Sequence, residues 1–237
     1  MLKKVIGLNL DDLLLYLSVE GGVFLLTQLV IGAVMAVSKP MDGILISGIT
    51  LPIIAGILGF ISGIVHMSVT FDQALRFGQT RRRALALTMG VMSVETVFAL
   101  ALAAFLGLVE RYLCPPVWAS LAGVGRWVVD YPGDLGVLED CLVLHSFQLD
   151  WWWYPVILLL ALGGGLIGGA LIQRFGTKGG WILWGVWMAA CFVPQIMGGE
   201  VFAIGAWNQN MIVACVILGI GLLVWSLWSL FHAVVKE

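Results

Sequence analysis

Charge is what this sequence has least of. Charged residues make up 11% of its 237 positions and hydrophobic ones 61%, too little polar material to clothe a soluble domain of this length. A soluble fold is thereby excluded, nucleic acid is not an expected partner, and the chain reads as an all-α integral membrane protein. Chemical motifs are equally scarce. His66, His145 and His232 lie far apart and lack the short spacing of a zinc site, so no metal is expected. No G-x-S-x-G accompanies Ser62 and His66, which leaves intramembrane proteolysis weakly supported. The glycine-rich stretch Gly163–Gln173 has no following Lys-Ser/Thr and sits inside an apolar run, so it is not a phosphate loop. Its spacing suits close helix packing instead, Gly164 with Gly168 and Gly165 with Gly169. No cleavable leader is expected, because Asn9, Asp11 and Asp12 interrupt the apolar run that follows Lys3 and Lys4.

What remains is a single transmembrane domain, 1–237, built from long apolar runs. Residues 5–18 alternate Leu and Ile with Asn and Asp, which predicts an interfacial helix or an extension of the first span. Six spans are predicted at about 21–37, 44–69, 84–109, 151–172, 181–197 and 211–231, each near the length needed to cross a ~30 Å hydrocarbon core. Pro52 is expected to kink the second. Residues 110–150, with Pro115, Pro116, Pro132 and six acids, predict an external loop or cap, and 198–210 a segment dipping into the membrane surface. Trp151-Trp152-Trp153-Tyr154 suits a headgroup boundary. With the N-terminus inside, nine of the twelve Lys and Arg are cytoplasmic and only Lys39, Arg111 and Arg126 face out, which orients the chain with both termini in the cytoplasm of a cell membrane.

The strongest local feature is FDQALRFGQTRRR, Phe71–Arg83, four arginines between two apolar runs. On a helical wheel Phe71, Ala74, Leu75 and Gly78 share one side, as in a short interfacial helix; charge alone equally allows a solvated loop that fixes topology. The pattern F-x-x-A-L-x-F-G-x-T-R-R resembles the loop between the second and third membrane helices of ABC-2-type transporter permeases, which forms a coupling helix docked on an ATPase. The resemblance implies that Phe71, Asp72, Leu75, Arg76, Phe77, Gly78, Thr80, Arg81 and Arg82 contact a cytoplasmic ABC ATPase subunit. It further implies a second permease half, the same or a homologous chain, and an exporter. ATP and Mg would bind the partner ATPase, with no cofactor and no catalysis on this chain.

Among the acids, Glu95 stands inside a predicted span, where an unpaired charge costs on the order of 3 kcal/mol. Gln28 is a candidate partner, and a place on a translocation path is the functional alternative. Glu20, close to the predicted inner boundary, is expected to reach water. Cys114 and Cys141 both fall in the predicted external loop, where a disulfide would close a cap worth about 3 kcal/mol by the loop-entropy estimate; two separate thiols are the alternative. Cys191 and Cys215 read as small apolar packing residues.

The rival functional classes are a stand-alone six-span secondary transporter using Glu95 as a proton or ion site, a substrate-binding membrane subunit of an importer, and a membrane enzyme. Topology is testable directly. A cysteine introduced at Gln79 or Lys178 is expected to be labelled only from the cytoplasm and one at Asp134 only from outside; external labelling of Gln79 overturns the orientation.

Overall fold

A computed structural model of the protein describes residues 10–130, 140–196 and 209–232. It is mostly helical, and four helical stretches, Asp11–Ser38, Ser47–Arg76, Arg81–Ala122 and Trp153–Phe175, are long and apolar enough to cross a membrane. The elements are α1 (Leu10–Ser38), β1 (Asp42–Leu45), α2 (Ser47–Val65), a π-helical turn (His66–Thr70), α3 (Phe71–Arg76), α4 (Arg81–Ala122), β2 (Arg126–Val129), β3 (Cys141–Ser146), α5 (Trp153–Phe175), α6 (Thr177–Ile196) and α7 (Gln209–Phe231). The chain forms two compact units, Met1–Gly59 with Ser93–Leu160, and Phe60–Met92 with Ala161–Glu237.

Several expectations are corrected. Residues 10–18 are not a separate interfacial helix: they run unbroken into the first span as part of α1, because Gly21 and Gly22 follow without a turn signal strong enough to stop a helix whose apolar residues continue. Residues 5–9 and 198–208 lie outside the described residues, as does 131–139 of the expected cap. The helix that carries the third span does not stop at residue 109. α4 runs 42 residues to Ala122, about 63 Å at 1.5 Å per residue, twice the hydrocarbon thickness. Pro115 and Pro116 are accommodated inside it because the carbonyls they leave unbonded, on Arg111 and Tyr112, belong to half-exposed and exposed residues that water can reach.

The fold is also not purely helical. β1, β3 and β2 form a small sheet in the order β1-β3-β2, both pairings parallel, with Asp42 opposite Val143 and Arg126 opposite Cys141. β3 is the central strand, and its Cys141–Leu144 run is wholly buried, as a strand covered on both faces should be. Met35, Leu45, Trp118, Ala119, Leu142 and Leu144 make one core under this sheet. That burial explains why α4 persists past its prolines. Asp130 ties the sheet to the helix end: its Oδ1 accepts the Ser146 N–H at 2.7 Å and its Oδ2 lies 3.7 Å from Arg111 Nη2. Burial acts upward on this carboxyl, but the Ser146 hydrogen bonds and the positive neighbours outweigh it and hold it below the ordinary carboxylate range. Cys114 and Cys141 are free thiols, the first on α4 and the second in β3, so no bridge closes the cap.

A second core in the same unit joins α1, α2 and α4 through Tyr16, Phe24, Leu51, Ala55, Ala99, Leu100 and Ala103. Pro52 sits in the second turn of α2 and is buried. A proline there cannot donate to the carbonyl of Gly48; that carbonyl instead accepts the Leu149 N–H at 3.3 Å.

In the other unit, the glycine spacing of α5 does what the sequence predicts. A Cβ on Gly165 would stand 2.8 Å from the Cα of Gly63, one on Gly164 would stand 2.8 Å from the Phe60 ring, and one on Gly168 2.8 Å from Ile64. One on Gly169 would stand closer still to Met67. Both glycine pairs therefore face the same stretch, Phe60–Met67, and replacing them must push two backbones apart. Gly169→Val and Gly165→Leu are each expected to cost at least the ~1–3 kcal/mol of core overpacking, seen as a lowered unfolding midpoint of the purified protein. Gly185→Leu is the control, since nothing lies within 4 Å of its Cβ position.

Candidate functional site

Two regions concentrate the polar chemistry. The first is the turn between α3 and α4. α3 ends in a glycine motif: Gly78 has φ +77°, its N–H bonds the Leu75 carbonyl at 3.0 Å, and the Gln79 N–H reaches back to Ala74 at 3.1 Å. This pair of bonds satisfies the last helical carbonyls and turns the chain sharply. Thr80 then opens α4 by accepting the Ala84 N–H at 2.9 Å.

The side chains of this turn divide into two sets. Phe71 is fully buried and Ala74 nearly so, packed with Met67, Ala84, Leu85, Leu166, Ala170 and Leu230, and Leu75 packs partly against them. Phe71 therefore anchors the turn within this chain and is not presented to a partner, a correction to the expectation for this residue, whereas Leu75 is half-buried. Outward stands Phe77, 86% exposed, flanked by exposed Arg76, Gly78, Thr80, Arg81, Arg82 and Arg83. Asp72 spends its charge on Arg76, Oδ2 to Nε at 2.9 Å, one helical turn away.

Arg81–Arg83 occupy the first turn of α4, with no acid among them. Cations at this end oppose the helix dipole, so helix stability does not account for them. Arg81 finds relief by donating from Nη1 to the Phe231 carbonyl at 2.7 Å, a cation placed on the negative end of α7. Arg81 is thus partly structural. Arg174 likewise has a local role, its guanidinium 5.6 Å from the Trp225 ring and 5.8 Å from those of Phe175 and Trp228. His66 belongs to the π turn, with Nδ1 3.1 Å from Thr70 Oγ1.

The second region is the seam between α1 and α4. Glu20, Glu95 and Glu110 are all buried, at 0, 1 and 1% exposure. Gln28 does not meet Glu95. Its Nε2 donates to Glu110 Oε1 at 2.8 Å, and the same carboxylate accepts the Ser47 hydroxyl at 2.7 Å and the Ser47 N–H at 2.8 Å. The reason is register. Asp12 and Glu95 carboxylate oxygens lie within 4.8 Å of one another, so α1 and α4 run in the same direction, and the residue sixteen places on from Asp12 meets the residue fifteen on from Glu95. Glu110 was hidden in the sequence by the prolines that follow it. Glu20 is also corrected: it does not reach water, and both its oxygens are buried with no hydrogen-bond partner among the described residues. The signal was the i, i+4 series Asp12, Tyr16, Glu20, Phe24, Gln28, one continuous face of α1.

These features define a helical membrane protein with polar groups gathered along one seam and at one arginine-rich turn. No protein-family model, curated protein or solved structure gives a match to the chain, and a functional reading rests on the residues themselves.

Removing the Glu110 carboxylate leaves the Ser47 N–H, the Ser47 hydroxyl and the Gln28 amide without their acceptor in a dry interior. Glu110→Ala is expected to lower unfolding stability by about 3–5 kcal/mol, and Gln28→Ala to add little on top of it, because the two share one interaction. Additive losses in a double-mutant cycle would show that the carboxylate is not the common acceptor.

Proposed function

We propose that the chain is the transmembrane permease subunit of an ABC-2-like exporter. In this reading α6 and α7 supply the fifth and sixth spans, both termini are cytoplasmic, and the protein pairs with a second permease half and with cytoplasmic ATPase subunits in the cell membrane. ATP hydrolysis on those subunits drives the rearrangement; this chain provides the path.

The observation that carries the reading is the division of the Phe71–Arg83 turn. A loop that only fixed topology would need charge and nothing more. Here a buried aromatic anchors the turn while a second aromatic, Phe77, is held out in the open between arginines. Keeping Phe77 in water costs roughly the 1.5–3 kcal/mol of an unburied side chain, and a groove on a partner would recover it. Aromatic and arginine side chains are the usual carriers of interface energy, and Arg82 and Arg83 present planar, bidentate donors for carboxylates.

The test separates docking from folding. Phe77→Ser combined with Arg82→Lys leaves charge and core intact, and is expected to reduce the ATPase retained during purification at least tenfold at equal membrane abundance. Phe71→Ser, by contrast, empties a buried site and should lower the abundance of the folded protein itself. Unchanged ATPase retention in the Phe77/Arg82 variant overturns the docking role and leaves the arginines as a topology signal.

A further inference from the structure

Glu20 is the one buried acid on the α1–α4 seam for which the described residues supply no hydrogen bond. It has 0% exposure, and both carboxyl oxygens are buried without a partner among the described residues. Its flanking residues on the same face, Tyr16 and Phe24, pack against Leu51, Ala55, Ala99 and Ala103, so the carboxyl faces an apolar, small-residue surface. An isolated carboxylate in such surroundings would have to lose its hydration without compensation, a cost that a bound proton would remove.

The same helix sets further titratable groups in series beside it. Tyr16 lies one turn before Glu20 and Asp12 one turn before Tyr16, steps of about 6 Å along the helix axis. Asp12 is exposed and its carboxylate is within 4.8 Å of that of Glu95. Within this compact unit the titratable groups along the stretch are Asp12 and Tyr16 on α1, Glu95 and, toward the sheet, Cys114 and Glu110 on α4, and Tyr154 on α5. The packed part of α2 contributes none. Glu110 is occupied by Gln28 and Ser47, so the open end of the series is the Asp12 end.

We propose that Glu20 is a proton-binding site within the membrane-spanning part of the protein, loaded and emptied through Tyr16 from the Asp12–Glu95 pair. The Tyr16 hydroxyl and the Glu20 carboxyl are not hydrogen-bonded to each other, so the transfer requires a side-chain rotation that brings them together; the Glu20 O–H bond then forms as the Tyr16 hydroxyl gives up its proton, and Tyr16 is reprotonated from the Asp12–Glu95 side. The assignment concerns a proton on this chain alone and does not depend on an ATPase partner.

Infrared spectroscopy of the full chain in lipid nanodiscs tests it. The wild type at neutral pH is expected to show the carbonyl band of a protonated carboxylic acid that shifts in D₂O and is lost in Glu20→Gln. Glu20→Asp should retain a displaced band, and Tyr16→Phe should keep the band while slowing its shift after transfer to D₂O at least tenfold. If Glu20→Gln fails to fold, wild type carrying ¹³C-carboxyl glutamate, compared with Glu95→Gln and Glu110→Gln, assigns the band. Absence of a protonated glutamate band at neutral pH in the wild type overturns the site, and an unaltered exchange rate in Tyr16→Phe overturns the route.

Discussion

The carboxylate of Glu110 fixes the geometry of the unit in which it sits. It takes one hydrogen bond from the middle of α1 and two from the first residue of α2, and it stands itself on α4. Three helices are therefore indexed to one another at a single atom pair. Hydrocarbon contact cannot do this, because lipid tails are as apolar as leucine and reward no particular register. Once Gln28 and Ser47 are set against Glu110, Asp12 falls beside Glu95 and the Tyr16–Glu20–Phe24 face falls on the alanines of α4. Pro52 extends the same logic. By leaving the Gly48 carbonyl open it gives Leu149, just before α5, a place to bond.

The apolar runs were readable in the sequence because bilayer thickness sets a length that composition alone reveals. The helix-packing glycines were readable for a related reason: their four-residue spacing has few other uses inside an apolar run. The sheet was not. Asp42–Leu45 and Cys141–Ser146 are short and far apart in the chain, and a parallel pair carries no hairpin turn to announce it. Nor was the partner of Gln28 legible, since the relative direction and register of two helices is a tertiary fact. The end of α4 is not legible either, because Pro115 and Pro116 are local stop signals and the burial of Trp118 and Ala119 overrides them. The arginine segment was half legible: its amphipathic face was visible, but which of its two aromatic residues turns inward depends on the backbone between them and the bundle.

The arrangement of charge is economical. Of the cations near the α3–α4 turn, Arg76 is matched to Asp72 and Arg81 to the end of α7, while Arg82 and Arg83 remain exposed at the positive end of a helix. A sequence selected for stability alone would place acids there. The turn therefore bears a cost that the rest of the fold does not require, one that the proposed docking surface would offset on binding its partner.

The π turn at His66–Thr70 bears on where that surface points. Its defining bond runs from the Phe71 N–H to the His66 carbonyl, five residues back instead of four, so it holds one residue in excess of a regular α-helix. Each residue of an α-helix advances the chain by about 100° about the axis. Annealing that surplus would swing everything after it, Phe77 included, through roughly that angle while leaving the helix before it unmoved. The compass bearing of the exposed aromatic is in this sense written by five residues that precede it in the chain.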